Sequence, residues 1–303
     1  MCHDGGGGHD TQSRGLVLLM RVGITGADGF TGRYLVNALA RRGATAVPLL
    51  ADLRDPAAVT LEIAAARIDR LVHLAGIAFV ASDDWEQFYA VNQIGTLTLL
   101  DAFSLVNPGA RCVLASSAQV YGAQASGIIS ENHSVAPSNH YAISKYAMEL
   151  GSQQWRDRLE IVITRPFNYT GLGQETRYLV PKIVDHIKRR ASVIELGNLD
   201  VKRDFGDVRS VTEAYAALIL NEERLPLVVN LCSGAVYGLR DVVSMASEIA
   251  GHPLDIRINP DFVRANDVRV LGGDTARLAA TLPCWSPIAL RDTLTWMIEG
   301  SGG

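Results

Sequence analysis

From residue 20 onward, short runs of β-branched and apolar residues alternate with stretches whose apolar residues recur at helical spacing. The runs 21–25, 44–49, 70–74, 111–115 and 160–165 predict strands, the last ended by Pro166. Between them, 32–42 carries Leu35 and Leu39 one turn apart, and Pro56 opens an alanine-rich stretch to residue 67. The segments 87–105 and 139–155 complete the predicted helices. Strands that read as continuous apolar runs separated by helices indicate a parallel sheet covered on both faces. The expected fold class is therefore α/β: a doubly wound parallel sheet over residues 20–166, with a smaller mixed C-terminal lobe over 167–303. In that lobe Gly-, Asn- and Asp-containing loops join three or four helices, and 228–232 is expected to return to the sheet. Residues 1–19, rich in Gly, His and Asp, offer almost nothing to bury and are expected to be a disordered leader.

Composition narrows the class without changing it. The 303 residues are 48% hydrophobic and 20% charged, which excludes a low-complexity chain and supports a sizeable core. A formal net charge of −4 supplies no basic field for nucleic acid, and no apolar run approaches the roughly 20 residues that span a bilayer. The basic run Lys188-Arg189-Arg190, with Lys182 and Asp185 just before it, reads as a solvated helix face. Cys2, Cys112, Cys232 and Cys284 stand far apart, a spacing that points away from zinc sites and disulfide frameworks and toward the cytoplasm.

Candidate chemistry begins directly after the first strand, where Gly26-Ala27-Asp28-Gly29-Phe30-Thr31-Gly32 opens a helix. Gly26 suits a tight turn, Gly29 a close approach to pyrophosphate, and Gly32 close helix–strand packing. The helix N-terminus then offers N–H groups to phosphates, so a dinucleotide site is expected there. Asp52-Leu53 follows the second strand, where the carboxylate would reach an adenine amino group. No acid ends that strand to hold a ribose 2′-hydroxyl, so NAD is expected with NADP still open.

Tyr141 and Lys145 stand four apart on one helix face. A phenol exchanges protons at neutral pH only when its pKa falls from about 10 toward 7, and a lysine ammonium one turn away favours that fall. Ser116-Ser117 ends the fourth strand, at the edge where open α/β sheets bind ligands. Together these groups imply hydride transfer at an alcohol or ketone carbon. His73, where the third strand ends, reads as structural.

With these motifs the chain resembles the extended short-chain dehydrogenase/reductases, the nucleotide-sugar epimerases, dehydratases and reductases, over nearly everything from Met20 onward. The marks are 25–32, Val72-His73-Leu74-Ala75-Gly76, Val91-Asn92, Ser116-Ser117-Ala118-Gln119-Val120-Tyr121-Gly122, Tyr141 with Lys145, and Arg165-Pro166-Phe167-Asn168. The resemblance implies a Rossmann sheet and makes Ser117, Tyr141 and Lys145 the catalytic groups. It assigns cofactor contacts to Gly26, Gly29, Phe30, Gly32, Asp52, Leu53, Leu74, Ala75, Gly76, Asn92, Tyr141 and Lys145. Ser117 and Asn168 would touch the substrate, Asn168 at its diphosphate.

The stretches 165–174 and 196–205 resemble the branch of GDP-mannose 4,6-dehydratase and the 4-keto-6-deoxymannose reductases, with Leu172 in place of the usual Pro. In that branch Arg203 matches a phosphate contact, and Arg264 with Asp267 the pair that holds the nucleotide end. Dehydratases carry an acid two residues after the catalytic Ser or Thr; here Gln119 stands there, which argues against dehydration. A C4 epimerase and a 4-keto-6-deoxyhexose reductase remain. The Ser117-Ala118-Gln119-Val120-Tyr121-Gly122 run and the apolar Ile77-Ala78-Phe79-Val80 lean toward the epimerase, with dTDP-L-rhamnose and dTDP-6-deoxy-L-talose as the candidate pair. A non-catalytic NAD(P)-binding protein is the alternative of another class, disfavoured because Tyr141 and Lys145 are both present. The resemblance also implies a homodimer through the helices near 91–105 and 139–155.

Overall fold

The computed structural model describes residues 19–78, 84–123, 125–262 and 268–300. Six parallel strands form the main sheet in the order Val228–Leu231, Glu160–Pro166, Arg111–Ala115, Arg70–His73, Arg21–Thr25, Thr45–Leu49. Ile24 aligns with Val72 on one side and with Pro48 on the other, and Val72 with Val113. The central strands are buried along most of their length, as a sheet covered on both faces requires.

Each face has its own helical layer. The helix Phe30–Arg41 buries Leu35, Ala38 and Leu39 against the sheet and packs beside Val208–Leu220. On the opposite face lie Pro56–Ala66, Thr96–Val106 and His140–Ser152. Asp55 starts the first of these by accepting from the backbone N–H groups of Ala57 and Ala58, with Pro56 in the first turn.

Two predicted elements differ in detail. The segment 87–105 is not one α-helix: a short turn, Trp85–Gln87, leads into a π-helical stretch, Phe88–Gly95, before Thr96–Val106 resumes α geometry. Gly95 presses on Leu53, where a β-carbon would stand 2.7 Å from the Leu53 β-carbon, and Asn92 turns inward to bond the backbone of Ile77. An apolar period read from sequence does not separate these two windings. The segment 139–155 is the α-helix His140–Ser152 followed by a 3-10 turn, Gln153–Trp155.

Beyond Pro166 there are five α-helices among the described residues, against the three or four expected. One of them, Val208–Leu220, leaves the lobe and covers the main sheet, and Val228–Leu231 then pairs with Glu160–Pro166 as expected. The lobe's own sheets are built from strands of three to six residues. Val236–Gly238, Lys202–Asp207, Val270–Gly273 and Gly127–Ile129 lie in that order, with Asn168–Thr170 beside Lys202–Asp207, and Asp255–Ile258 pairs with Val193–Leu196. A separate core around Ile183, Ile194, Phe205, Val242 and Leu294 holds the lobe together.

Arg189 pairs with Asp185 one turn earlier on an exposed helix face, in keeping with the solvated reading of the basic run. Cys112 and Cys232 are buried and free, and Cys284 is exposed and free. Among the described residues no helix is long and apolar enough to cross a membrane.

Candidate active site

The parallel strands all end at one edge, and against that edge lies a cavity of about 970 Å³ walled on its far side by residues 166–181. The glycine turn forms its floor. Gly26 has φ +69°, and a β-carbon there would meet the Ala75 backbone nitrogen at 3.0 Å. At Gly32 a β-carbon would stand 2.1 Å from the Gly26 carbonyl oxygen, so only glycine lets the helix begin this close to the turn. No side chain caps the N-terminus of Phe30–Arg41, which leaves its first turn directed at the cavity. Phe30 stacks on Tyr169 at 6.2 Å, and Thr31 and Tyr169 join hydroxyls at 2.8 Å, tying the turn to the far wall.

Leu74, Ala75 and Gly76 line the cavity beside this turn. Gly76 admits two polar groups to the backbone: its β-carbon would lie 2.8 Å from Asn92 Oδ1 and 3.1 Å from Lys145 Nζ. Asn92 is fully buried behind the loop, accepting from Ile77 N–H at 2.9 Å and donating to the Ile77 carbonyl and to Ser144 Oγ at 3.1 Å each. Leu53 is buried under Gly95. Asp52 stands outside the cavity lining: its carboxylate is half exposed and held by the Arg54 guanidinium at 2.6 Å, whose hydrogen bonds bring its pKa down to about 2.

The predicted reacting groups converge at the ends of the third and fourth strands. Asn139 caps the helix His140–Ser152 by accepting from Ala142 N–H at 2.9 Å, which fixes Tyr141 in the first turn. Burial raises the Tyr141 phenol to about 12, against a hydrogen bond from Ser117 that draws it down. Ser117 also caps the next turn, accepting from Gln119 N–H at 3.2 Å. Lys145 Nζ donates to the Ala115 carbonyl at 2.8 Å; burial lowers its pKa to about 8, and the Glu149 charge opposes that fall. Ser117, Tyr141 and Lys145 thus meet in one water-poor corner of the cavity.

His73 matches its structural reading. Its ring is fully buried between the hydroxyls of Thr25 (2.6 Å) and Thr96 (2.8 Å), and burial first, then the Lys145 charge, hold its pKa down near 3.

On the far side, Asn168 lines the cavity and donates to the Asp204 carbonyl at 3.3 Å. Arg203 lies outside the lining, with Nη1 donating to the carbonyls of Lys202 and Val268. Arg264, Asp267, Phe79 and Val80 fall outside the described residues. Ile77, Ala78 and Gln119 face the cavity, and Asn139 donates to Gln119 Oε1 at 3.3 Å.

Sequence reasoning passed over several wall residues. Gln174 donates to the Tyr169 carbonyl at 3.2 Å, which turns its buried Oε1 away without a partner. Arg33 and Tyr178 also line the cavity. Their signal was faint, because loop residues brought together by folding share no spacing. Behind the site, Glu149 and Arg165 form a buried ion pair; Arg165 stood in a sequence motif without a role, and Glu149 in none.

The family model described as the NAD dependent epimerase/dehydratase family matches residues 22–232. A GDP-6-deoxy-D-talose 4-dehydrogenase of Aggregatibacter actinomycetemcomitans is 35% identical, over 87% of this chain and 91% of its own length. A GDP-6-deoxy-D-mannose reductase of Pseudomonas aeruginosa is 32% identical, over 91% of this chain and 95% of its own. Among solved structures, that of RMD from Pseudomonas aeruginosa complexed with NADPH superimposes with a TM-score of 0.82 at 29% identity, covering 93% of this chain and 97% of that one. Glycine turn, uncapped helix and the match across both lobes agree: the chain is an enzyme of the NAD dependent epimerase/dehydratase family.

Proposed function

We propose that this enzyme interconverts the C4 alcohol and C4 ketone of a GDP-linked 6-deoxyhexose with NAD(P). The observation that carries the reading is the convergence of Ser117, Tyr141 and Lys145 on one cavity wall at the strand ends, with Lys145 Nζ held on the Ala115 carbonyl at 2.8 Å. The names of two relatives similar over nearly the whole chain, a 4-dehydrogenase and a reductase of GDP-6-deoxyhexoses, support the substrate class.

The glycine cradle fits a dinucleotide: Gly26, Gly29 and Gly32 let backbone approach phosphates, the uncapped helix end favours their charge, and Lys145 beside Gly76 would reach a ribose. When bound, the nicotinamide supplies or accepts the hydride. The remaining work falls to side chains. Tyr141 holds the proton at the sugar O4, giving it up as the ketone is reduced and taking it back as the alcohol is oxidised. A phenol held at about 12 is protonated at neutral pH and ready to donate. To serve as base near pH 7 it must be stabilised as phenolate by roughly 7 kcal/mol. Ser117 contributes by hydrogen bonding, and the rest would have to come from positive charge, such as the Lys145 ammonium, brought to bear on the phenolate. Asn168 would meet the diphosphate from the opposite wall. Gln119, an amide, stands at the position of a dehydratase's acid and cannot supply from there the proton that elimination needs.

C4 epimerisation is the second reading, favoured by Ile77 and Ala78, which give the cavity an apolar wall that would let a ketone turn. Incubation with GDP-, dTDP- and UDP-6-deoxyhexoses and NAD⁺ or NADP⁺ separates the two. Stoichiometric absorbance at 340 nm supports oxidoreduction, and a new C4 epimer without coenzyme turnover supports epimerisation. Exposed Ile94, Leu105, Ile143 and Leu150 on the outer helices support pairing of two copies through that face.

A further inference from the structure

We propose that Glu149 and Arg165 are a positioning pair that anchors the Ser116–Ser117 segment to the helix bearing Tyr141 and supplies the counter-charge to Lys145. This deepens the reading above and rests on it. Both side chains are almost wholly buried, at 2% and 5% exposure. The guanidinium grips the carboxylate with two hydrogen bonds, Nε to Oε1 at 3.0 Å and Nη2 to Oε2 at 2.6 Å. Ser116 Oγ donates to the same Oε1. The guanidinium also lies 4.9 Å from the centre of the Tyr121 ring, whose hydroxyl donates to Asn230 Oδ1 at 2.7 Å.

A buried ion pair of this kind is a poor stabiliser, since desolvating two charges offsets most of their attraction and apolar replacements are often neutral or better. Its location suggests another use. Lys145 and Glu149 are four residues apart on one helix face. Lys145 holds the Ala115 carbonyl and Glu149 the adjacent Ser116 hydroxyl, so the helix clamps the end of the fourth strand at two successive residues. The next residue, Ser117, is the one that bonds Tyr141. A shift of either grip would move Ser117 relative to the phenol.

The same carboxylate acts on Lys145 through charge. Facing Lys145 are Glu149 on its own helix, His73 from the third strand, and Asn92 beside Gly76. His73 is held neutral by burial and Asn92 carries no charge, so Glu149 supplies the negative charge that opposes the desolvation of the ammonium. Arg165 in turn pairs with that carboxylate at 2.6 Å and partly shares its charge.

The chain has four lysines, Lys145, Lys182, Lys188 and Lys202, so ¹⁵N-lysine labelling gives four Nζ resonances, with Lys145 assigned by its loss in Lys145→Arg. In the cofactor-free protein Lys145 should titrate near pH 8. Glu149→Gln keeps the shape and the acceptor for Ser116 but removes the charge, and should lower the Lys145 midpoint by about one pH unit. Arg165→Met removes the competing cation and should raise it. These opposite signs are not what a loosened structure would give, and either variant alone suffices if the other does not fold. A midpoint within 0.2 of wild type in a folded variant would overturn the proposal. The Lys145 titration needs no substrate, so it fails independently of the proposed reaction, which fails instead if Tyr141→Phe retains full turnover.

Discussion

Gly76 and Lys145 are matched: a β-carbon on the glycine would stand 3.1 Å from the lysine Nζ and 2.8 Å from Asn92 Oδ1. The loop after the third strand therefore has room for the ammonium only because residue 76 lacks a side chain. In Gly76→Ala, Lys145 and Asn92 must give way. Because both obstructing atoms are side-chain ends, the protein should still fold, with a stability loss of about 1 kcal/mol. Coenzyme affinity should fall at least tenfold, as read by isothermal titration with NAD⁺ and NADPH. Unchanged affinity would mean that Lys145 does not depend on this gap.

Removing the Tyr141 hydroxyl tests the proton step. Tyr141→Phe should lower kcat by about 10² to 10⁴ while leaving coenzyme affinity within threefold. In the wild type, oxidation of the sugar needs the phenolate and reduction needs the phenol. With the phenol near 12 in the cofactor-free chain, kcat/KM for oxidation should climb across the neutral range and kcat/KM for reduction should fall toward alkaline pH.

His73 makes a prediction about stability. Its folded-state pKa is depressed to about 3 against roughly 6.5 in an unfolded chain, so between those values the unfolded state binds the extra proton. Stability from this group is complete above about pH 6.5 and is lost as pH falls toward 3. Between pH 7 and pH 5 the loss should be about 2 kcal/mol, seen as a lower urea midpoint at pH 5. His73→Gln should flatten that difference, whatever its effect at pH 7.

Much of this site was legible before folding. The glycine turn and the Tyr141–Lys145 spacing are local features, set within one turn or one helix, and the alternation of apolar runs with helices foretold a main sheet whose strand ends bring them together. The π-helical stretch Phe88–Gly95 was hidden because its inward Asn92 answers to Ile77, a partner fifteen residues away. The strands of the second lobe were hidden too, being as short as Asn168–Thr170 and, even where Asp255–Ile258 alternates polar and apolar residues, too brief to stand out from the loops. The Glu149–Arg165 pair joins a helix to a strand and has no sequence spacing that announces it.

Asp52 has a local competitor for the adenine contact expected from sequence. Arg54, two residues on, takes the carboxylate in a two-pronged contact at the surface. An exposed pair of this kind contributes little, so Asp52→Ala should leave stability within about 1 kcal/mol and coenzyme affinity within threefold. A larger loss of affinity would support the adenine contact expected from sequence.

The central claim is that hydrogen leaves and returns at sugar C4 with Tyr141 handling the proton. GDP-6-deoxy-D-talose carrying deuterium at C4, incubated with enzyme and an excess of NAD⁺ or NADP⁺, tests it most directly. The account predicts one deuterium on the nicotinamide ring per ketone formed, observed by mass spectrometry and NMR of the recovered coenzyme, and a drop of at least 10² in that transfer with Tyr141→Phe. Deuterium appearing in bulk water, or a sugar changed at another carbon with C4 still labelled, would contradict it.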